Sequence, residues 1–211
     1  MGDYLLNALV TLFVTLDPIG LAPMFMVLTA GFGPIARRQV ALRASLTAGL
    51  VLIAFALGGN ALLSFLGISL DAFRIAGGLL LFVIAFEMVF ERRVDRKSAA
   101  AEKASGEDLR NVAIFPLAIP LTSGPGAISA TILLASHASG VLAFAGLILV
   151  IVVLIGVCLA VFLLSNRVER ALGETGRIVV SRLLGVILAA LAVQFVADGV
   201  LTLVARALKA G

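Results

Sequence analysis

Charge and reactive side chains are what this 211-residue sequence has least of: 13% charged residues, one cysteine, one histidine, one tyrosine and no tryptophan. A lone Cys158 inside an apolar run excludes an intrachain disulfide framework and a multi-thiolate metal site, and its expected role is packing. The single histidine, His137, has no Cys, Asp or Glu cluster around it in sequence, so no metal site is expected. No Gly-x-x-x-x-Gly-Lys-Ser/Thr run occurs, which removes the phosphate-cradling loop of a nucleotide-driven machine. The N-terminal residues also lack the positive n-region of a secretory signal, and their apolar run is long and contains proline. This segment is expected to stay in the mature protein.

What remains is apolar. Hydrophobic residues make up 62% of the chain and mean hydropathy is +1.18, more apolar surface than a water-soluble domain can hide. A bilayer core of about 30 Å takes about 20 apolar residues per helix, so this length holds about six spans with short loops. Apolar runs between charge clusters place them near 5–30, 40–66, 72–90, 112–137, 141–165 and 180–205. The net charge of +4 does not signal nucleic acid, because the basic residues gather at span ends rather than in a stripe interleaved with aromatics. Of the sixteen Lys and Arg residues, all but Arg74, Arg206 and Lys209 fall in the first, third and fifth loops. The positive-inside rule then puts those loops in the cytoplasm of a cell (inner) membrane protein and both termini outside.

The stretch 91–111 mixes charges of both signs with small residues and reads as a cytoplasmic linker between two comparable units, 1–90 and 112–211. The units share two anchors. Asp17-Pro18-Ile19-Gly20 in the first corresponds to Ser123-Gly124-Pro125-Gly126 in the second, and Arg74-Ile75-Ala76-Gly77 corresponds to Arg182-Leu183-Leu184-Gly185. Pro18 and Arg74 are 56 residues apart, Pro125 and Arg182 are 57 apart. An odd number of spans per unit makes the second enter the membrane from the opposite side. The expected fold class is therefore an all-α membrane protein: six transmembrane helices as two inverted-topology three-helix repeats, the first helix of each half broken near the midplane.

Five of the six prolines, Pro18, Pro23, Pro116, Pro120 and Pro125, lie in the first and fourth spans. Each removes an N–H donor and crowds the preceding turn, so neither span is an unbroken helix. Backbone groups freed in hydrocarbon need partners, which points the breaks at a protein-lined cavity. Asp17 before Pro18 reads as a helix N-cap, and Thr122 or Ser123 before Pro125 reads the same way. Half-helix N-termini suit a carboxylate and unwound carbonyls suit an ammonium or a cation, so the expected substrate-binding residues are Asp17, Pro18, Ile19, Gly20, Thr122, Ser123, Gly124, Pro125 and Gly126. Asp17, about twelve residues into its span and thus mid-bilayer at 1.5 Å per residue, is a ligand, a proton carrier or a cap. Glu87, Gln194, Asp198 and Asn60 lie nearer span ends; Arg74 and Arg182 read as interface anchors or carboxylate partners. Coupling or gating candidates are Asp17, Glu87, Arg74, Arg182, Gln194 and Asp198. Gly77 and Gly78 are expected to permit close helix contact.

With these motifs in hand, the chain resembles the MarC family of six-span membrane proteins. The resemblance runs essentially end to end, through Asp17-Pro18-Ile19-Gly20, Gly67-Ile68-Ser69, Arg74-Ile75-Ala76-Gly77-Gly78, Pro116-Leu117-Ala118-Ile119-Pro120, Gly124-Pro125-Gly126, Ser181-Arg182-Leu183 and Gln194-Phe195. It implies transport of small neutral amino acids such as glycine, alanine or serine, with distant kinship to exporters of the LysE type. Relatives often carry Asn-Pro where this chain has Asp17-Pro18, and Asn-Gly where it has Asp198-Gly199.

The function expected is a secondary transporter, exporter or importer, holding a small neutral amino acid between the two broken helices. No cofactor is expected beyond coupling to H+ or Na+; the partners are the amino acid and membrane lipid, nucleic acid is not one, and homo-oligomer formation stays open. The alternatives are a non-transporting membrane scaffold and an intramembrane enzyme using Ser123, Ser129 and Asp17. The enzyme reading lacks a base at the right depth, since His137 falls at an outer loop.

Overall fold

The computed structural model describes residues 1–91 and 109–210, and among them all regular structure is helical. Residues 92–108 of the predicted linker lie outside the described residues. The first span consists of two half-helices, α1 (Gly2–Leu16) and α2 (Pro18–Leu28), joined at Asp17. They are followed by α3 (Pro34–Phe65) and α4 (Leu70–Val89). Beyond the linker come a single turn, α5 (Leu109–Val112), an irregular wide-turn segment (Ala113–Thr122), α6 (Pro125–His137), α7 (Val141–Leu163) and α8 (Ser165–Ala210). Five stretches, Gly2–Leu28 counted as one, are long and apolar enough to cross a membrane. The pair Ala113–Thr122 and Pro125–His137, bent by 58°, makes a sixth when counted as one broken span.

All six predicted spans coincide with these elements, but two boundaries move. Helix α3 begins at Pro34 rather than near residue 40, because proline at the first helical position needs no N–H partner. The predicted fifth loop is helical and belongs to α8, interrupted only at Gly173 with φ 61°. Beyond the break its charges are compatible with helix: Glu174 and Arg177 stand three apart. The charge run bounds the apolar span near residue 180, but the helix extends past it, back to the break at Gly173.

The bundle is inside-out relative to a soluble domain. Leu46 and Leu57 on α3, Val83 on α4, Leu149 on α7 and Val186 on α8 are exposed, an apolar exterior that only a lipid environment covers without cost. Buried positions instead include many small or hydroxylic side chains, among them Thr11, Thr15, Ala44, Ala48, Ala118, Ser123 and Thr131. Helix α3 packs on α7, on α6 and on Ala113–Thr122, while α1 and α2 pack on α7 and α8.

The most extensive pairing, α4 along α8, is an antiparallel seam of small residues. A Cβ built on Gly78 would stand 2.9 Å from the Ala192 carbonyl oxygen. On Gly185 it would stand 3.1 Å from that of Ala85, and on Gly199 3.0 Å from that of Asp71. These contacts recur every seven residues on both helices, the spacing that keeps one face of a helix turned to its neighbour. Close backbone approach is the packing expected of glycine within a membrane, where contact density replaces the hydrophobic drive. Cys158 is buried in α7, consistent with packing.

Candidate functional site

The first break is a single residue. Asp17 adopts the left-handed conformation (φ 56°, ψ 61°), ends α1 by donating its N–H to the Phe13 carbonyl at 3.0 Å, and starts α2 as its N-cap. Its Oδ1 accepts from the Gly20 N–H at 3.1 Å. Each residue of the Asp-Pro-Ile-Gly motif has a local reason. Aspartate tolerates φ > 0 better than most side chains and supplies the acceptor; Pro18 has no N–H to leave unsatisfied. Gly20 clears space, since a Cβ there would fall 2.3 Å from Asp17 Oδ2. Asp17, Pro18 and Gly20 are buried, Asp17 only 5% exposed, and Ile19 is half-buried. Asp17→Asn keeps an acceptor oxygen and the αL preference, so its melting temperature is expected to stay near that of the parent protein. Asp17→Ala loses both and is expected to cost about 2 kcal/mol in reversible unfolding.

The second break is built differently. Residues 115–122 repeat an apolar-Pro-Leu-small pattern, Phe115-Pro116-Leu117-Ala118 and then Ile119-Pro120-Leu121-Thr122. The residue before each proline is extended, Phe115 at φ −128°, ψ 125° and Ile119 at φ −129°, ψ 122°, as the proline ring requires of its predecessor. Both peptide bonds into these prolines are cis. The hydroxyls of Thr122 and Ser123 donate to the carbonyls of Leu117 (2.7 Å) and Ala118 (2.9 Å), and the Ser123 N–H also reaches Ala118 O at 2.8 Å.

This corrects the expectation that Thr122 or Ser123 caps α6. The cap is Gly124, with no side-chain hydrogen bond. The hydroxyls turn back to carbonyls of the unwound segment, so neither serves as the side-chain cap of α6. Gly124 is demanded by crowding: a Cβ there would lie 2.6 Å from the Pro120 carbonyl oxygen.

The two breaks meet. Helices α1 and α6 run antiparallel, and near one end the Tyr4 hydroxyl donates to Leu134 O at 2.8 Å. At the other end, Thr15 Cγ2 is 3.6 Å from where a Gly126 Cβ would stand. The last turn of α1 before Asp17 therefore lies against the first turn of α6 after Gly124. Buried hydroxyls surround the meeting point: Thr15 donates to Thr11 O at 2.5 Å and Thr131 to Ala127 O at 2.7 Å. Thr11 and Thr15 went unremarked in the sequence, although two threonines four apart in an apolar run already mark one helix face as polar.

The remaining candidates stand elsewhere. Arg74 lies 3.8 Å from Asp71 on α4, and Arg206 of α8 places Nη1 2.6 Å from the other oxygen of that buried carboxylate. Arg182 pairs with Glu91. Both arginines are thus carboxylate partners, Arg74 within α4 and Arg182 from α8 to Glu91 just past the end of α4, and Glu87 is half-buried near the end of α4. Gln194 donates to Asp198 at 2.8 Å, and the pair lines a cavity of about 160 Å3 with Tyr4, Asn7 and His137. That cavity adjoins the ends of α1 and α6 remote from the breaks, so Gln194 and Asp198 do not join Asp17. His137 closes α6, its Nδ1 2.7 Å from Leu133 O, rather than sitting in a loop. Among the described residues no group of three or more His, Cys, Asp or Glu side chains is placed to hold a metal ion.

Sequence comparisons bear on this architecture. The chain is 35% identical over 201 residues to a UPF0056 membrane protein of Methanocaldococcus jannaschii, covering 95% of this chain and 88% of that one. It is 32% identical over 189 residues to the UPF0056 membrane protein YhcE of Escherichia coli, covering 90% and 88%. A similar protein in Aquifex aeolicus is 33% identical over 198 residues, covering 94% and 92%. No solved structure matches the chain. The model of the MarC family of integral membrane proteins matches residues 2–204, nearly the whole bundle including both breaks, and the chain belongs to that family.

Proposed function

We propose that this protein is a secondary transporter of small neutral amino acids such as glycine, alanine or serine, not an enzyme, with substrate held between the breaks at 17–20 and 122–126. The observation that carries the reading is their adjacency, Thr15 against Gly126. Paired discontinuities at one level are how membrane bundles offer backbone polar groups to a solute. The two sides are chemically complementary to a zwitterion. The N-terminus of α6, whose cap residue Gly124 has no side chain to offer, and the positive end of its dipole suit a carboxylate; the Asp17 carboxylate suits an ammonium. With no nucleotide-binding loop in the sequence, the reading takes an H+ or Na+ gradient as the driving force, or simple facilitation.

Inverted-repeat topology is part of the proposal, and packing supports it. A shift of 107 residues carries Pro18 onto Pro125, both first residues of half-helices, and Gly78 onto Gly185, one residue off the Arg-x-x-Gly correspondence. The same shift exchanges the Gly78–Ala192 contact with the Gly185–Ala85 contact, as a two-fold axis through the α4–α8 seam would. With the basic loops cytoplasmic, both termini face outward from the inner membrane.

The test is uptake and efflux of labelled glycine, alanine and serine in proteoliposomes, with and without H+ and Na+ gradients. Saturable flux is expected, falling at least about tenfold in Asp17→Ala, the loss attending removal of a charged hydrogen-bond partner. Gly124→Leu is expected to abolish it. No saturable flux of any amino acid under either gradient sinks the proposal.

A further inference from the structure

We propose a second binding site, independent of the transport reading, in the cleft where α2 ends, α3 begins and α7 gives way to α8: it takes the phosphodiester of an anionic phospholipid. The cleft encloses about 310 Å3. Among the described residues its polar lining is Arg37, Arg38, Ser165 and Asn166, with no carboxylate, so two guanidinium charges face it uncompensated by those walls. Arg37 is held ready. Its Nη2 donates to Ser165 Oγ at 3.3 Å, and its guanidinium lies 5.5 Å from the centroid of the Phe25 ring, which stacks on Phe162 at 5.0 Å. A fixed guanidinium fork suits phosphate oxygens better than a freely moving side chain does.

Position identifies the source of the phosphate. Leu28 ends α2, Leu163 ends α7 and Pro34 begins α3, so three apolar helices terminate at this level. Here the apolar exterior of the bundle gives way to arginines, the depth at which lipid headgroups lie. Basic pockets between transmembrane helices at such a level hold anionic headgroups, each Lys or Arg contributing about 1 kcal/mol. A free phosphate ion would make no use of the aromatic wall formed by Phe25, Phe32 and Phe162; a glycerol backbone with acyl chains would.

The experiment takes the full chain, purified in neutral detergent and stripped of lipid. Its melting temperature is followed while short-chain phosphatidylglycerol, phosphatidylcholine or inorganic phosphate is titrated in. Phosphatidylglycerol is expected to raise the melting temperature at lower concentration than phosphatidylcholine. Arg37→Gln and Arg38→Gln are each expected to shift the half-maximal concentration about fivefold upward. Arg38 is exposed, so its variant should fold even if loss of the Arg37–Ser165 bond weakens the other. Arg43→Gln removes the same charge from α3 outside the cleft and is expected to leave the titration unchanged. Equal response to the two lipids, an equal shift with phosphate alone, or an Arg43→Gln effect as large as that of Arg38→Gln would each overturn the assignment.

Discussion

Gly78→Leu and Gly199→Leu are expected to destabilise the bundle by about 3 kcal/mol each, the upper end of overpacking penalties. At both positions the obstacle includes backbone. A Cβ on Gly78 would stand 2.9 Å from Ala192 O and 2.8 Å from Val196 Cγ2, and one on Gly199 3.0 Å from Asp71 O and 2.7 Å from Ile75 Cγ1. A side-chain tip can change rotamer, but a helical carbonyl moves only with its helix, so α4 and α8 must separate. Gly58→Ala is the control: it sits within α3 with nothing within 4 Å of its added Cβ. Removing a glycine from an open helix interior is expected to stabilise by about 0.5–1 kcal/mol. Reversible unfolding in mixed micelles reads both. If Gly78→Leu proves as mild as Gly58→Ala, the α4–α8 seam is not the close-packed contact described above.

The second large effect concerns the meeting of the breaks. Gly126→Ala is expected to cost about 1–3 kcal/mol, because its Cβ would fall 2.1 Å from Ile84 Cδ1. The same methyl would meet Thr15 Cγ2 at 3.6 Å, ordinary contact, so Ile84 alone carries the clash. Ile84→Val removes that Cδ1 and is expected to restore most of the lost stability in the double variant. A double-mutant cycle gives the coupling, and such contacts couple by about 0.5–3 kcal/mol. Additive losses in the cycle would mean that α4 does not press on the first turn of α6. If the transport proposal holds, flux follows stability in this series: lost in Gly126→Ala and regained with Ile84→Val.

Much of this was legible because membranes leave few options. Apolar runs of sufficient length must be helices, and prolines within them must interrupt the hydrogen-bond ladder. Hence the apolar helices, five or six of them long enough to span, and the location of both interruptions could be read directly. Asp17 as an N-cap was readable too, since Asp-Pro is a local signal whose geometry needs only three residues downstream. Gly78 was readable as a contact glycine because small residues in spans mark close helix packing, though not which helix it would meet. The second break was read less well. Thr122 and Ser123 carry cap-forming side chains, but nothing local revealed that the carbonyls of Leu117 and Ala118 would claim their hydroxyls first. The charged stretch after Ser165 misled in another way: hydropathy marks where a span leaves lipid, not where its helix ends.

The breaks themselves were thus determined by the sequence alone, because a proline's missing N–H and an aspartate's acceptor act within one turn of chain. Family membership was carried by the same linear pattern. What only the tertiary structure decided is which groups share a neighbourhood. It set Thr15 against Gly126 and brought Arg206 to Asp71. It also kept Gln194 and Asp198 away from Asp17 and gathered Arg37 and Arg38 with Ser165 in one cleft. Those distances depend on how close α4 and α8 approach and how α1 lies along α6. Such quantities are settled by side-chain volume and carbonyl contact across helices far apart in the chain, where no local pattern reaches.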